Sequence, residues 1–387
     1  MKKIWSNALY ILYLVVLLAI ADFVVGQLYE QVAPPLGQRN IMILLGEGDE
    51  EQALNERPHP YLLWENTPNY ISSNGIRQTN NLGYRNTNDF DFTKDAKVFR
   101  ILALGGSTTY GYLLDDPANA WPSQLEEILN HALSEDSDYD RIEVINGGLN
   151  YATSAELLLH YLFRDRYLDP DIVIVHTGGN DAKLLLFHDY NPDYSGFRPG
   201  WEANIHRLRT GEGFLIRHSN IAKLIYAFWL NDSAALPHIN KQSKSFDLRP
   251  AYYVENAKKN EPVGFERNLR LLVRNVIDDG AEPILFPFVI TSDEQFCTLS
   301  VESSARVAFT IKIREGYLIA LAKNNEVMRS LSLEYQIPLI TLSPEEIPTE
   351  YFLDDAHLSK EGEEIKARFV ANQICKQVPE INCNAIR

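Results

Sequence analysis

The chain has 387 residues, 45% hydrophobic and 23% charged, a globular composition long enough to bury a full core. Its 52 acidic against 36 basic residues give a formal charge of −16, and the lysines and arginines are spread along the chain instead of gathered among aromatics. That balance repels phosphate backbones and anionic lipid surfaces, so nucleic acid is set aside as a partner.

Lys2 and Lys3 precede an apolar stretch that is uninterrupted from residue 8 to 21 ("ALYILYLVVLLAIA"), and from Ile4 to Gly26 only Ser6, Asn7 and Asp22 break it. Residues 1–28 therefore read as a single-pass membrane anchor with its lysines on the cytoplasmic side. A cleaved signal peptide is the alternative, because Ala19-Ile20-Ala21 has the small-x-small form, and a buried core helix is a third. Both leading readings export the rest of the chain. Residues 29–95 are polar and turn-rich, with aromatics dotted among Asn-Gly and Leu-Gly steps, and read as a stalk or a small cap.

From residue 98 short apolar runs alternate with helical stretches. "VFRILALGG", "IEVINGG" from Ile142, "DIVIVHTGG" from Asp171, "EPILFPFV" from Glu282 and "IPLITL" from Ile337 predict five strands buried on both faces. Helices are expected near 119–134, 154–167, 265–279, 312–335 and 359–377. This order predicts a doubly wound, flavodoxin-like parallel sheet in three α/β/α layers over residues 96–387. Residues 188–262 break the alternation and read as an insertion. Its Tyr194, Phe197 and Trp201 suggest a sugar-stacking platform, although packing of the insertion on its own domain is the preferred account.

Ligands in such sheets bind beyond the carboxyl ends of the strands, where Gly105-Gly106-Ser107, Gly147-Gly148 and Gly178-Gly179 all fall. A serine becomes a nucleophile only with a base, and the base needs an orienting group. "YFLDDAHLSKEGEEI" offers His357 with Asp354 three residues before it; Asp355 is the alternative acid at a less favourable spacing. Ser359 is expected to cap the last helix without a full capping box, because Gly362 stands where the reciprocal acid would be. Asn180, in "HTGGND", and the Ser107 N–H are candidate oxyanion donors.

These residues, in this order, resemble the SGNH (GDSL-type) serine hydrolases, especially membrane-anchored bacterial members with a "GGST" block. The similarity spans about residues 70–377. Gly105 to Thr108 looks like the nucleophile block, Gly178 to Asp181 like the Gly-x-Asn-Asp block, Asp354 to His357 like the Asp-x-x-His block, and "NNLGYR" (80–85) like the lead-in of that subgroup. The resemblance implies Ser107 as nucleophile, His357 as base and acid, Asp354 as its orienter and Asn180 as an oxyanion donor. Two positions depart from the pattern: Gly106 replaces a frequent Asp, and Tyr151 stands where the second block usually has a glycine whose N–H serves the oxyanion.

The expectation is a serine esterase that needs no cofactor or metal and removes a small acyl group such as acetyl from a carbohydrate. An O-acetyltransferase with the same triad and a catalytically silent polysaccharide- or partner-binding scaffold are the alternatives. Of the three cysteines, Cys375 and Cys383 would close a short loop and leave Cys297 free, although three pairings are open. The oligomeric state is left open.

Overall fold

The computed structural model describes residues 2–34, 38, 41, 55–188, 190–194, 210–231, 250–291, 304–384 and 386. Phe197, Trp201 and Cys297 lie outside the described residues. The chain divides into two units, Met1–Pro58 with Gly196–Phe246, and His59–Ser195 with Asp247–Arg387.

In chain order the helices and main-sheet strands are α1 (Lys2–Val32), β1 (Val98–Gly105), the single-turn α2 (Ser107–Tyr110), α3 (Trp121–Ala132), β2 (Arg141–Gly148), α4 (Ser154–Phe163), β3 (Ile172–Thr177) and α5 (Gly179–Leu184). There follow α6 (Thr210–His218), α7 (Asn220–Asn231), α8 (Pro250–Lys259), α9 (Val263–Asp278), β4 (Glu282–Pro287), α10 (Ser304–Tyr335) and α11 (Lys360–Gln377). α1, α6 and α7 belong to the first unit and the rest to the second.

The main sheet is parallel with the order β2-β1-β3-β4. Every residue of β1 and β3 is buried, which is why both read as continuous apolar runs. Alternate side chains serve opposite faces. Ile101, Ala103, Ile172 and Ile174 join Trp121 and Leu125 of α3 and Val370 and Ile374 of α11 in one core. Leu102, Leu104, Val173 and Val175 join Tyr161 of α4, Leu269 and Val276 of α9 and Met328 of α10 in the other. The result is the doubly wound, three-layer fold expected.

The fifth strand is the correction. Ile337–Leu342 reaches the outer edge of β4, where the Leu285 N–H donates to Pro338 O (3.0 Å) and the Ile340 N–H to Leu285 O (2.8 Å), but the pairing is a single parallel bridge, Leu285↔Leu339. Positions 283, 285 and 287 of β4 face that edge, and two of them are proline. Without N–H groups they cannot extend the ladder, so four strands form and the fifth run is a one-bridge appendage.

Residues that precede β1 brace the turn that follows it. In "NNLGYR", Asn80 Oδ1 accepts the Leu82 and Tyr84 N–H groups, and Gly83 takes φ +83°, where a Cβ would sit 2.5 Å from Asn66 O. Arg85, buried, donates to Tyr110 O (3.3 Å) and Leu114 O (2.7 Å), on the far side of α2. At the other end of the chain, Cys375 and Cys383 form a disulfide with Cα atoms 5.6 Å apart.

Candidate active site

Glycine decides how closely the turn after β1 can approach the sheet. A Cβ on Gly105 would lie 2.1 Å from Thr109 Oγ1 and 2.6 Å from His176 O, and one on Gly148, paired with Gly105, would lie 2.2 Å from Tyr110 N. Both clashes are with atoms that cannot give way, so α2 rests directly on the strand ends only because these positions are glycine. Ser107 opens that turn. The Thr109 and Tyr110 N–H groups donate to Gly106 O (3.0 Å each), whereas the Ser107 N–H, at the first position, has no intrahelical acceptor.

His357 comes to Ser107 from the loop before α11. Asp354 Oδ1 accepts the N–H groups of Ala356 (2.8 Å) and His357 (2.7 Å), a local turn available to an acid three residues upstream. Its Oδ2 lies 2.7 Å from His357 Nδ1, and His357 Nε2 lies 2.8 Å from Ser107 Oγ. An ionised carboxylate only accepts, so Asp354 selects the tautomer with the proton on Nδ1 and leaves Nε2 to accept the serine O–H. Tyr112 stands edge-on to the imidazole with ring centroids 5.4 Å apart. Ser359 caps α11 by accepting the Gly362 N–H (3.4 Å), the partial cap anticipated.

The two neighbouring acids diverge. Burial works to raise Asp354, but the side-chain hydrogen bond and charge of His357 and two backbone N–H groups outweigh it and hold the carboxyl below its usual range. Asp355 is pushed up, by burial first and then by Asp354. The acid at three-residue spacing is thus the one kept ionised beside the imidazole.

Asn180 stands in the first turn of α5, after Gly178 at φ +113°. Its Nδ2 donates to Ala152 O (2.9 Å) and its Oδ1 accepts from Lys183 Nζ (3.2 Å). A Cβ on Gly106 would lie 3.2 Å from Asn180 Nδ2 and 3.6 Å from Ala152 O, so α5 and the loop after β2 meet beside Ser107. Tyr151, in that loop, takes φ +59° and exposes 58% of its surface. It holds the left-handed backbone for which glycine is the usual residue. The structure therefore brings Ser107, His357 and Asp354 into one hydrogen-bonded series, with Asn180 and Tyr151 on adjoining segments.

Other residues support this arrangement without having been foreseen. Asp181 accepts from Ser154 Oγ (2.6 Å) and Tyr194 O–H (2.6 Å), so Tyr194 anchors α5 and is not a free platform ring. Burial pushes Asp181 up to about 6. Beneath α2, Lys366 Nζ lies 3.3 Å from Thr108 O and 3.0 Å from His176 Nε2, while Glu363 accepts the Trp121 N–H (3.1 Å). Burial draws Lys366 down to about 8 and lifts Glu363 to about 7. Burial and the Lys366 charge keep His176 neutral, so its Nε2 accepts from the lysine while Nδ1–H donates to Phe286 O (3.1 Å). The available signal was a Glu and a Lys on the same α11 stripe as Ala367 and Val370. Among the described residues, no group of three or more His, Cys, Asp or Glu is placed to hold a metal ion.

A profile described as the GDSL-like Lipase/Acylhydrolase family matches residues 103–365, more than half of the chain. Among solved structures, a lipase/acylhydrolase from Enterococcus faecalis is 16% identical with a TM-score of 0.38, over 75% of this chain and 98% of that one. An acetylxylan esterase from Geobacillus stearothermophilus is 15% identical with a TM-score of 0.37, over 71% of this chain and 94% of that one. Comparison with curated proteins yields no match.

Proposed function

The chain belongs to the GDSL-like lipase/acylhydrolase family and so cleaves ester bonds; we propose that it does so with Ser107 as nucleophile, His357 as general base and then acid, and Asp354 as the group that orients the imidazole. The observation that carries this reading is the pair of hydrogen-bond distances from Ser107 Oγ through His357 to Asp354. Ser107 Oγ forms a bond to the acyl carbon as its proton passes to His357 Nε2. The resulting oxyanion is held by the Ser107 N–H, the Asn180 side-chain amide and the Tyr151 N–H. Collapse breaks the bond to the alcohol oxygen, which takes the proton from Nε2. Water repeats the sequence on the acyl-enzyme, releasing the acid and restoring Ser107.

The substrate in this reading is a small acyl ester, acetyl first, on a carbohydrate. It rests on analogy with family members associated with cell-surface polysaccharides, in a reading with α1 retained as anchor and the catalytic unit exported. One observation favours a second reading, transfer of the acyl group to a sugar hydroxyl: the His357 side chain is only 16% exposed and has the Tyr112 ring beside it, a partly covered base that would favour a bound acceptor over bulk water.

The test uses the full chain in detergent with p-nitrophenyl esters of increasing chain length and a fluorophosphonate probe. Wild type is expected to turn over acetate and to label, and Ser107→Ala to do neither, with His357→Ala lower in kcat by about a thousandfold or more. A folded wild type that neither labels nor hydrolyses overturns the catalytic assignment and favours the silent scaffold. Acetyl appearing on an added sugar in place of free acetate selects transfer over hydrolysis.

A further inference from the structure

The amide of Asn180 is held at both of its ends. Lys183 follows it by three residues in α5, a spacing that sets the two side chains on one face of the helix, and Lys183 Nζ donates to Asn180 Oδ1 (3.2 Å). At the other end Asn180 Nδ2 donates to Ala152 O (2.9 Å). An ammonium only donates and a carbonyl oxygen only accepts, so the two contacts specify the same orientation of the amide. That orientation turns Nδ2 toward the turn that carries Ser107, where a Cβ on Gly106 would lie 3.2 Å from it. Nδ2 bears two hydrogens and Ala152 O engages one of them, which leaves the other for a developing oxyanion.

Lys183 is exposed, yet loss of solvation lowers its pKa, with the charges of Asp355 and then Asp354 acting against the shift. Asp355 combines the same features: it is exposed, while burial and then the charge of Asp354 push its carboxyl up and Lys183 acts to lower it. Groups that reach solvent and are nevertheless poorly solvated stand on the wall of a cleft, not on a convex face. The placement of α5 does not depend on this lysine. Tyr317 O–H donates to Gly179 O (3.0 Å), Asn324 Nδ2 donates to Gly178 O (2.8 Å), and Asp181 accepts from Ser154 and Tyr194. These contacts fix the helix, so what Lys183 adds is the orientation of one amide and a positive charge behind it.

Negative charge develops on the acyl oxygen only as Ser107 adds to the acyl carbon, so a cation behind the donor stabilises the transition state more than the bound ester. A charge on Oδ1 also draws electron density from the amide nitrogen and makes Nδ2–H the stronger donor. We propose that Lys183 is a positioning residue of the oxyanion site, which orients and polarises the Asn180 amide through Oδ1. The inference rests on the reading of Asn180 as an oxyanion donor.

A double-mutant cycle in the full chain in detergent provides the test, with p-nitrophenyl acetate as substrate and an aryl trifluoromethyl ketone as the probe of the oxyanion. Ser107 Oγ adds to the ketone carbon, the serine proton passes to His357, and the ketone oxygen becomes the oxyanion. Asn180→Ala is expected to lower kcat about a hundredfold and Lys183→Met about tenfold, with KM within about twofold in the lysine variant. The trifluoromethyl ketone should bind Lys183→Met about tenfold more weakly, and Lys183→Arg, which keeps the charge, should recover most of both losses. In the Asn180→Ala background, Lys183→Met should cost nothing further. A further loss of about tenfold in that background overturns the inference, because the lysine then acts independently of the amide. Lys183→Met at the wild-type rate beside an impaired Asn180→Ala overturns it as well and leaves Asn180 standing as a donor. Asn180→Ala at the wild-type rate overturns that reading of Asn180 and this inference together.

Discussion

Tyr151 sets an ordinary side chain in an extraordinary backbone. At φ +59° a tyrosine is strained by on the order of 1 kcal/mol relative to glycine. Tyr151→Gly is therefore expected to keep or raise the unfolding midpoint and, by removing a ring that is 58% exposed beside the proposed donors, to broaden acyl chain-length preference toward butyrate and longer esters. An unchanged preference in the p-nitrophenyl series would show that the ring lies outside the acyl site. Asp181 makes a second prediction, in pH. Its folded value of about 6 exceeds the ordinary 3.8, so between those values the folded state binds more protons than the unfolded state. Stability from this group is complete below about pH 4 and is lost as pH rises through about 6, a fall of about 3 kcal/mol. Urea midpoints measured from pH 4 to 7 should decline in wild type relative to Asp181→Asn; parallel curves would contradict the assignment. Neither residue's role was legible from spacing. Tyr151 was legible only as a departure from a pattern, and Asp181 only as the last letter of "GGND", because its hydrogen-bond partners, Ser154 and Tyr194, come from two other segments.

Secondary elements were more legible than their edges. The strands β1 to β4 and the helices α3, α9 and α11 could be read from apolar runs and periodicity, because buried parallel strands and amphipathic helices write their environment into local sequence. The fifth strand failed for a nonlocal reason: Pro283 and Pro287 matter only once it is known which edge of β4 they face. The C-terminal element shows the opposite case, where two cysteines suffice. The Cys375–Cys383 bridge spans a sequence separation of 8, and Cys383 in turn pairs with Leu133 after α3, so the disulfide secures the end of α11 to its neighbour. Closing so short a loop contributes about 2.5 kcal/mol by chain entropy. Cys375→Ser should lower the melting temperature by several degrees while leaving kcat on p-nitrophenyl acetate within about twofold, because the loop of His357 precedes the other end of α11. A large loss of kcat at temperatures where the variant is folded would show that the bridge also positions the imidazole.

At the scale of the whole chain, the order of blocks from Ser107 to His357 carried the proposed site, since each block sits at a strand end or helix start that the alternation already implied. What could not be read was the company the insertion keeps. Residues 196–246 group with the N-terminal segment, an association made by Asp22 and the start of α7 that no periodicity reports. The prolines of β4 have one more consequence. An outer strand with a full row of amide donors is a template on which a neighbouring molecule can build. On the outward edge of β4 only Leu285 has a donor, and Ile337–Leu342 already occupies it. The sheet is finished on that side, and strand-by-strand association with other copies has nowhere to begin.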